Sequence, residues 1–251
     1  MMRSANPTLS DKTFLDAARM LREAHSDPMT IDGTVNKSGL LLAALLLTAG
    51  FTWNRAFTGG AASVQGLMLV GVFGGLIFAI VTIFKKEWAP FTAPAYALLE
   101  GLALGGISAR FEMMFPGIVI QAVSLTFATL FALLMAYKSG WIRATENFKL
   151  MVFSATGGIF VLYLVNFAMR MFGARVPFIH ESGLLGIGFS LFVVAIASAN
   201  LVLDFDFIEN GAERGAPKFM EWYGAFGLMV TLVWLYLEIL HLLAKLQSRR
   251  D

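Results

Sequence analysis

The chain has no cysteine. Its absence excludes disulfide bonds, thiolate catalysis, and zinc or iron–sulfur sites built on cysteine ligands. Charged residues make up only 14% of the chain, whereas soluble domains carry about 25%. The net charge of +2 is too small to indicate a nucleic-acid partner, and no basic patch interleaved with aromatic residues is present. The sequence therefore argues against thiol chemistry and against nucleic-acid binding.

Hydrophobic residues make up 57% of the 251 residues. A soluble fold of this size could not bury so much apolar surface, so lipid must cover the excess. Seven apolar stretches approach the length of a membrane span: Gly39–Trp53 with its flanks, Gly66–Phe84, Thr92–Ser108, Gly117–Tyr137, Leu150–Phe172, Gly183–Leu203 and Trp222–Leu246. They are continuously apolar and too long for the alternating strands of a membrane barrel. We predict an all-α membrane protein with about seven transmembrane helices.

The chain divides into a polar tail, residues 1–38, and a transmembrane domain, residues 39–251, whose connections are too short to fold separately. In the tail, Asp11–Glu23 carries apolar side chains at helical spacing, which fits either a short amphipathic helix or a partly ordered segment.

Lysine and arginine in the loops predict the orientation. With the N-terminus inside, the inner loops contain Lys85, Lys86, Lys138, Arg143, Lys149, Arg214 and Lys218. The outer loops contain Arg55, Arg110, Arg170 and Arg175. The excess on the first side predicts that the N-terminus is inside and the C-terminus outside.

Several ionisable side chains lie within the predicted spans. A charge there costs at least ~2.5–3.5 kcal/mol, so these residues are functional candidates. Glu100 lies in a run of small residues in the third span, and Arg110 follows near the end of that span, where it can reach the interface. Asp204 and Asp206 end the sixth span, and only one of them can face the protein interior. A structural hydrogen bond to a neighbouring helix is the alternative for Glu100.

Glu238 lies in the middle of the seventh span with apolar residues on both sides. A carboxylate buried in this way titrates nearer neutral pH than one in water, which is the physical basis of a proton-controlled cation gate. Glu238 and His241 also have the Glu-x-x-His spacing of di-iron bundles, but with only three histidines the chain lacks the ligands that such a site needs. No cofactor and no tight metal site are expected, and weak calcium binding at Asp204 and Glu238 stays open.

Three runs carry a resemblance to a known family: LLEGLALGGIS in the third span, LVLDFDFIENG at the end of the sixth, and WLYLEILHLL in the seventh. Together with short pieces of the tail, they resemble the transmembrane Bax-inhibitor-motif family, especially its bacterial branch. The resemblance covers nearly the whole chain. It implies six helices around a central seventh in a bacterial cytoplasmic membrane, and a pH-sensitive calcium leak channel. It further implies that Asp204 and Glu238 are the paired acids of the pH sensor, Glu100 the acid of the Leu-Glu-Gly motif, and Arg110 a gating arginine.

The spacing of the two acids leaves their pairing open. If Asp204 lies at the inner end of its helix, Glu238 lies about 24 Å further along the seventh helix than Trp222 does. Glu221, at the start of that helix, is then the better geometric neighbour of Asp204. Both pairings, with Glu238 and with Glu221, remain hypotheses at this point.

Two functions follow from the sequence. The first is a leak channel for cations, with calcium as the permeant ion, gated by protonation of intramembrane carboxylates. The second is a regulator that binds a membrane partner such as a quality-control protease, for which the tail is the discriminating feature. An intramembrane enzyme is not expected, because the chain has no His-Glu-x-x-His zinc helix and no serine with a helix-borne histidine beyond His241.

Overall fold

The computed structural model describes residues 27–173 and 183–249. This part of the chain contains seven α-helices: α1 Ile31–Gly59, α2 Gln65–Phe84, α3 Ala89–Met114, α4 Ile118–Lys138, α5 Glu146–Met171, α6 Leu184–Glu213 and α7 Met220–Ser248. Six of them, all except α3, are long and apolar enough to cross a membrane. The prediction of an all-α membrane protein is confirmed.

Two helices extend further beyond their predicted spans than the others do. Helix α1 begins at Ile31, so residues 31–38 of the predicted tail are helical. The side chain of Thr30 starts this helix by accepting a hydrogen bond from the backbone N–H of Gly33 at 3.0 Å. Helix α6 continues to Glu213, ten residues beyond the predicted end. The candidate amphipathic segment Asp11–Glu23 lies outside the described residues.

The chain forms two compact units. Within the described residues, unit A contains residues 27–116 and 206–230, and unit B contains residues 117–173, 183–205 and 231–249. The division falls inside α6, between Phe205 and Asp206, and inside α7, between Val230 and Thr231. Of the six candidate spans, α7 has the largest share of its apolar window inside protein, 50% against 17–33% for the others.

Close contact between α3 and α1 organises unit A. A β-carbon added at Gly101 would overlap the carbonyl oxygen of Leu45 and the hydroxyl of Thr48, and one added at Gly105 would overlap the carbonyl oxygen of Ala49. Two glycines four residues apart on α3 therefore let its backbone touch that of α1, as small residues do at helix interfaces in membranes. Tight packing of this kind explains why α3, although it carries Glu100, is one of the more buried helices of unit A.

An apolar cluster joins α5, α6 and α7 in unit B. Ile159, Val193 and Ile196 are buried, and partly buried aromatic side chains pack against them: Tyr163, Phe189 and Trp234. Two of these aromatic residues carry polar groups, which must find hydrogen-bond acceptors in a membrane. The acceptor that both of them use is Glu238.

Candidate functional site: buried carboxylates on α6 and α7

Asp204 lies in the interior of α6, where its side chain is only 8% exposed. The prediction that Asp204 and Asp206 end their helix is wrong, because the buried side chains of Phe207 and Ile208 continue the packed face of α6. The hydroxyl of Thr231, on α7, donates a hydrogen bond to the Asp204 carboxylate. The second carboxylate oxygen, Oδ2, is buried and has no hydrogen-bond partner. Asp204 is therefore a buried acid of which one oxygen is left unsatisfied.

Glu238 is buried in unit B and is held by two neutral donors. The hydroxyl of Tyr163 donates to its Oε1 at 2.8 Å, and the indole N–H of Trp234 donates to the same oxygen at 3.3 Å. Trp234 lies one turn before Glu238 on α7, whereas Tyr163 comes from α5. The donors orient the carboxylate without supplying a positive charge.

Asp204 and Glu238, both among the described residues, bind to separate hydrogen-bond partners and not to each other. The Thr231 that bonds Asp204 lies seven residues before Glu238, which is about 10 Å along α7. Both carboxylates belong to unit B, where Asp204 of α6 contacts α7 at Thr231 and Glu238 is carried by α7 itself. A single hydrogen-bonded acid pair is not formed.

Glu221 lies in unit A and has a different set of neighbours. Its side chain is fully buried, and it forms ion pairs with Lys37 and with Lys218, the latter at 2.9 Å. The backbone N–H and the hydroxyl of Thr30 both donate to its Oε1 at 2.9 Å. A β-carbon at Gly33 would overlap the same carboxylate, so a larger residue at this position would displace the Glu221 side chain from its present contacts.

These contacts fasten the segment before α1 to the loop between α6 and α7. The backbone N–H of Met29 donates to the carbonyl of Ala216 at 2.7 Å, and Pro28 pairs with Pro217 in an antiparallel bridge. We call the set of Met29, Thr30, Lys37, Ala216, Lys218 and Glu221 the N-terminal clasp. Because the carboxylate of Glu221 is compensated by two ammonium groups and two further donors, it is a structural acid.

The remaining predicted site residues lie in three different settings. Glu100 is half-buried in unit A beside Gly75 of α2, where a β-carbon would come within 3.0 Å of its Oε2. Asp206 is half-buried on α6, one turn before Asn210, whose amide donates to the Asp206 carbonyl at 2.6 Å. Arg110 is exposed near the end of α3, about 15 Å along the helix from Glu100.

Lys245 is a polar residue of unit B that sequence reasoning did not single out as a site. Its ammonium group donates to the hydroxyl of Ser190 at 2.8 Å and to the carbonyl of Gly186 at 3.1 Å. Tyr163, Trp234 and Thr231 were missed as well, because their roles depend on which helix packs against which. The only sequence signal for any of them is the one-turn spacing between Trp234 and Glu238.

The described residues contain no group of three or more histidine, aspartate or glutamate side chains that could hold a metal ion. The chain is thus defined as a multi-pass α-helical membrane protein with isolated carboxylates buried on its last two helices. A family model described as Bax inhibitor 1 like matches residues 6–248, so the chain belongs to that family. Neither a curated protein nor a solved structure gives a significant match.

Proposed function

We propose that this chain is a pH-sensitive leak channel for cations, with calcium as the permeant ion, gated by protonation of carboxylates inside the membrane. Asp204 is the observation that carries the proposal, because its Oδ2 is buried without a hydrogen-bond partner. A buried acceptor in this state is costly unless a proton or a cation satisfies it. A gate that alternately binds a proton and a cation requires a buried carboxylate oxygen that no hydrogen bond already satisfies.

Glu238 supports the same proposal on the next level of α7. Both of its hydrogen-bond donors are neutral, so the charge of its carboxylate is not cancelled within the hydrogen-bonded group. An ionised carboxylate in a protein interior needs a counter-charge. The ammonium group of Lys245 supplies part of it electrostatically, and a passing cation or a proton can supply the rest. Thr231, which binds Asp204 of α6, and Glu238 are about 10 Å apart along α7, so the two acids offer successive binding positions for a permeant ion.

On this proposal the chain resides in a bacterial cytoplasmic membrane with its N-terminus inside, and it has no enzymatic role and no resident cofactor. The excess of lysine and arginine in the loops on the N-terminal side supports the orientation. The family membership supports the membrane location in general terms.

The test is calcium flux into liposomes that carry the purified protein, measured at pH 6, 7 and 8. The variants are Asp204→Asn and Glu238→Gln, which keep size and remove the titratable group. Glu213→Gln is the matched control, because Glu213 is exposed at the end of α6. We expect pH-dependent flux in the wild type and in the control, and a pH-independent level in both test variants. Wild-type flux and pH response in both would refute the proposal.

A second candidate is a regulator that binds a membrane quality-control protease. The N-terminal clasp favours it, since the segment that follows residues 1–26 is fastened to the α6–α7 loop and holds the chain entry at a fixed place in unit A. Deleting residues 1–26 leaves the clasp residues in place, whereas deleting Met1–Lys37 would remove three of them. Loss of protease modulation with intact calcium flux in the shorter deletion would make interaction a separate role.

A further inference from the structure

Lys245 places a fixed positive charge inside unit B. It lies three residues before the end of α7, where a long basic side chain normally extends toward the lipid headgroups. Instead, its ammonium group is bound by Ser190 and Gly186, which belong to the first two turns of α6. Ser190 is 2% exposed, so the ammonium group of the half-buried Lys245 is held against a buried hydroxyl.

The charge lies on the same face of α7 as Glu238. Seven residues separate the two positions, which brings them within about 20° of each other around the helix and about 10 Å along it. The two side chains interact electrostatically. An ion bound beside Glu238 would therefore experience the field of the Lys245 ammonium group.

We propose that Lys245 is a selectivity residue of the leak pathway, whose fixed charge disfavours divalent cations over monovalent cations on the path past Glu238. This inference rests on the proposed channel function. The repulsion between a fixed charge and an ion is proportional to the charge of the ion. The repulsion energy of a divalent cation is therefore twice that of a monovalent cation. If the ammonium group lowers the occupancy of the site by a given factor for a monovalent cation, it lowers it by the square of that factor for a divalent cation.

The squared relation separates an electrostatic role from a structural one. If removal of the charge raises potassium flux on the order of fivefold, it should raise calcium flux on the order of 25-fold. A variant that only loosens the packing of α6 against α7 would raise both fluxes by similar factors. The calcium-to-potassium ratio is thus the quantity to measure, because a merely structural change leaves it unchanged.

The experiment compares Lys245→Gln with Lys245→Arg in liposomes loaded with calcium and potassium indicators, at the pH of highest wild-type flux. We expect the calcium-to-potassium flux ratio to rise about fivefold in Lys245→Gln and to stay within about twofold of wild type in Lys245→Arg, which keeps the charge. An unchanged ratio in Lys245→Gln overturns the inference, as does an equal rise in Lys245→Arg. Absence of flux in the folded wild type instead refutes the channel proposal itself.

A second route tests the charge on one protein sample. Because the chain has no cysteine, Lys245→Cys provides a single thiol. Methanethiosulfonate ethylammonium, added in detergent before reconstitution, restores a positive charge at that position, and the neutral methyl reagent provides the matched control. The inference requires the ammonium adduct to lower the calcium-to-potassium ratio toward wild type and the methyl adduct to leave it high. Equal ratios for the two adducts would overturn it.

Discussion

Replacing Gly101 by alanine should destabilise the protein, although alanine is the better helix former. A β-carbon at Gly101 would overlap the carbonyl oxygen of Leu45 and the hydroxyl of Thr48, both on α1. The Leu45 carbonyl is backbone and cannot rotate away. The overlap can be relieved only by moving α3 away from α1, which opens gaps elsewhere along the interface of the two helices.

The size of the effect follows from two opposing terms. Inserting one carbon into a close-packed interface costs about 1–3 kcal/mol. Alanine recovers about 0.8–1.0 kcal/mol relative to glycine in a helix. The difference is a cost of up to about 2 kcal/mol, and we expect Gly101→Ala to lower the free energy of unfolding by an amount near this upper end because the overlapped Leu45 carbonyl is backbone. At Gly50 of α1, nothing lies within 4 Å of an added β-carbon, so Gly50→Ala should raise it by up to ~1 kcal/mol.

The assay is unfolding by sodium dodecyl sulfate in mixed micelles, followed by far-ultraviolet circular dichroism. The two variants add the same atoms to helices of the same unit, and the structure predicts opposite shifts of the midpoint. Equal shifts, or a stabilised Gly101→Ala, would show that α1 and α3 are not in backbone contact at this position.

Three further predictions concern the acids and the orientation. Glu221→Gln should lower the free energy of unfolding by about 1–3 kcal/mol, measured in the same micelles, because two partly exposed ammonium groups lose their carboxylate. An effect below ~1 kcal/mol, typical of a surface ion pair, would contradict the clasp. Tyr163→Phe removes a hydrogen-bond donor that stabilises the ionised carboxylate of Glu238, so the midpoint of pH-dependent calcium flux should move to higher pH. A shift of the midpoint to lower pH would contradict the assignment of Glu238 as a pH sensor. In intact cells, an impermeant maleimide should label Pro116→Cys and not Ser139→Cys, and the reverse pattern would refute the orientation.

The helical spans could be predicted from the sequence because each of them is a contiguous run of apolar residues. Helix α2 illustrates this, since the predicted Gly66–Phe84 and the observed Gln65–Phe84 differ by one residue. The end of α6 was missed because Asp204 and Asp206 look like a polar boundary. In the structure Asp204 is buried, and the apolar side chains that follow it keep the helix packed.

The acids were identified from the sequence, but their partners were not. A carboxylate in an apolar run is conspicuous by itself, as Glu238 is, whereas the tyrosine that bonds it is 75 residues away. Glu221 was taken as a candidate neighbour of Asp204, and its own contacts are with Thr30 and Lys37 near the other end of the sequence. Partnerships of this kind depend on which helices pack together, and no local pattern records that.

The N-terminal clasp has a consequence for the order in which the protein is assembled. Lys37 and Glu221 are 184 residues apart, and chains are synthesised at about 5–20 residues per second, so Lys37 is made roughly 10–40 s before its carboxylate partner. Throughout that interval the Glu221 carboxylate has not yet been made, so it can neither pack beside Gly33 nor pair with the ammonium group of Lys37. A chain that stops before residue 221 therefore differs from the finished protein at its first helix, where the clasp can close only after nearly the whole protein has been made.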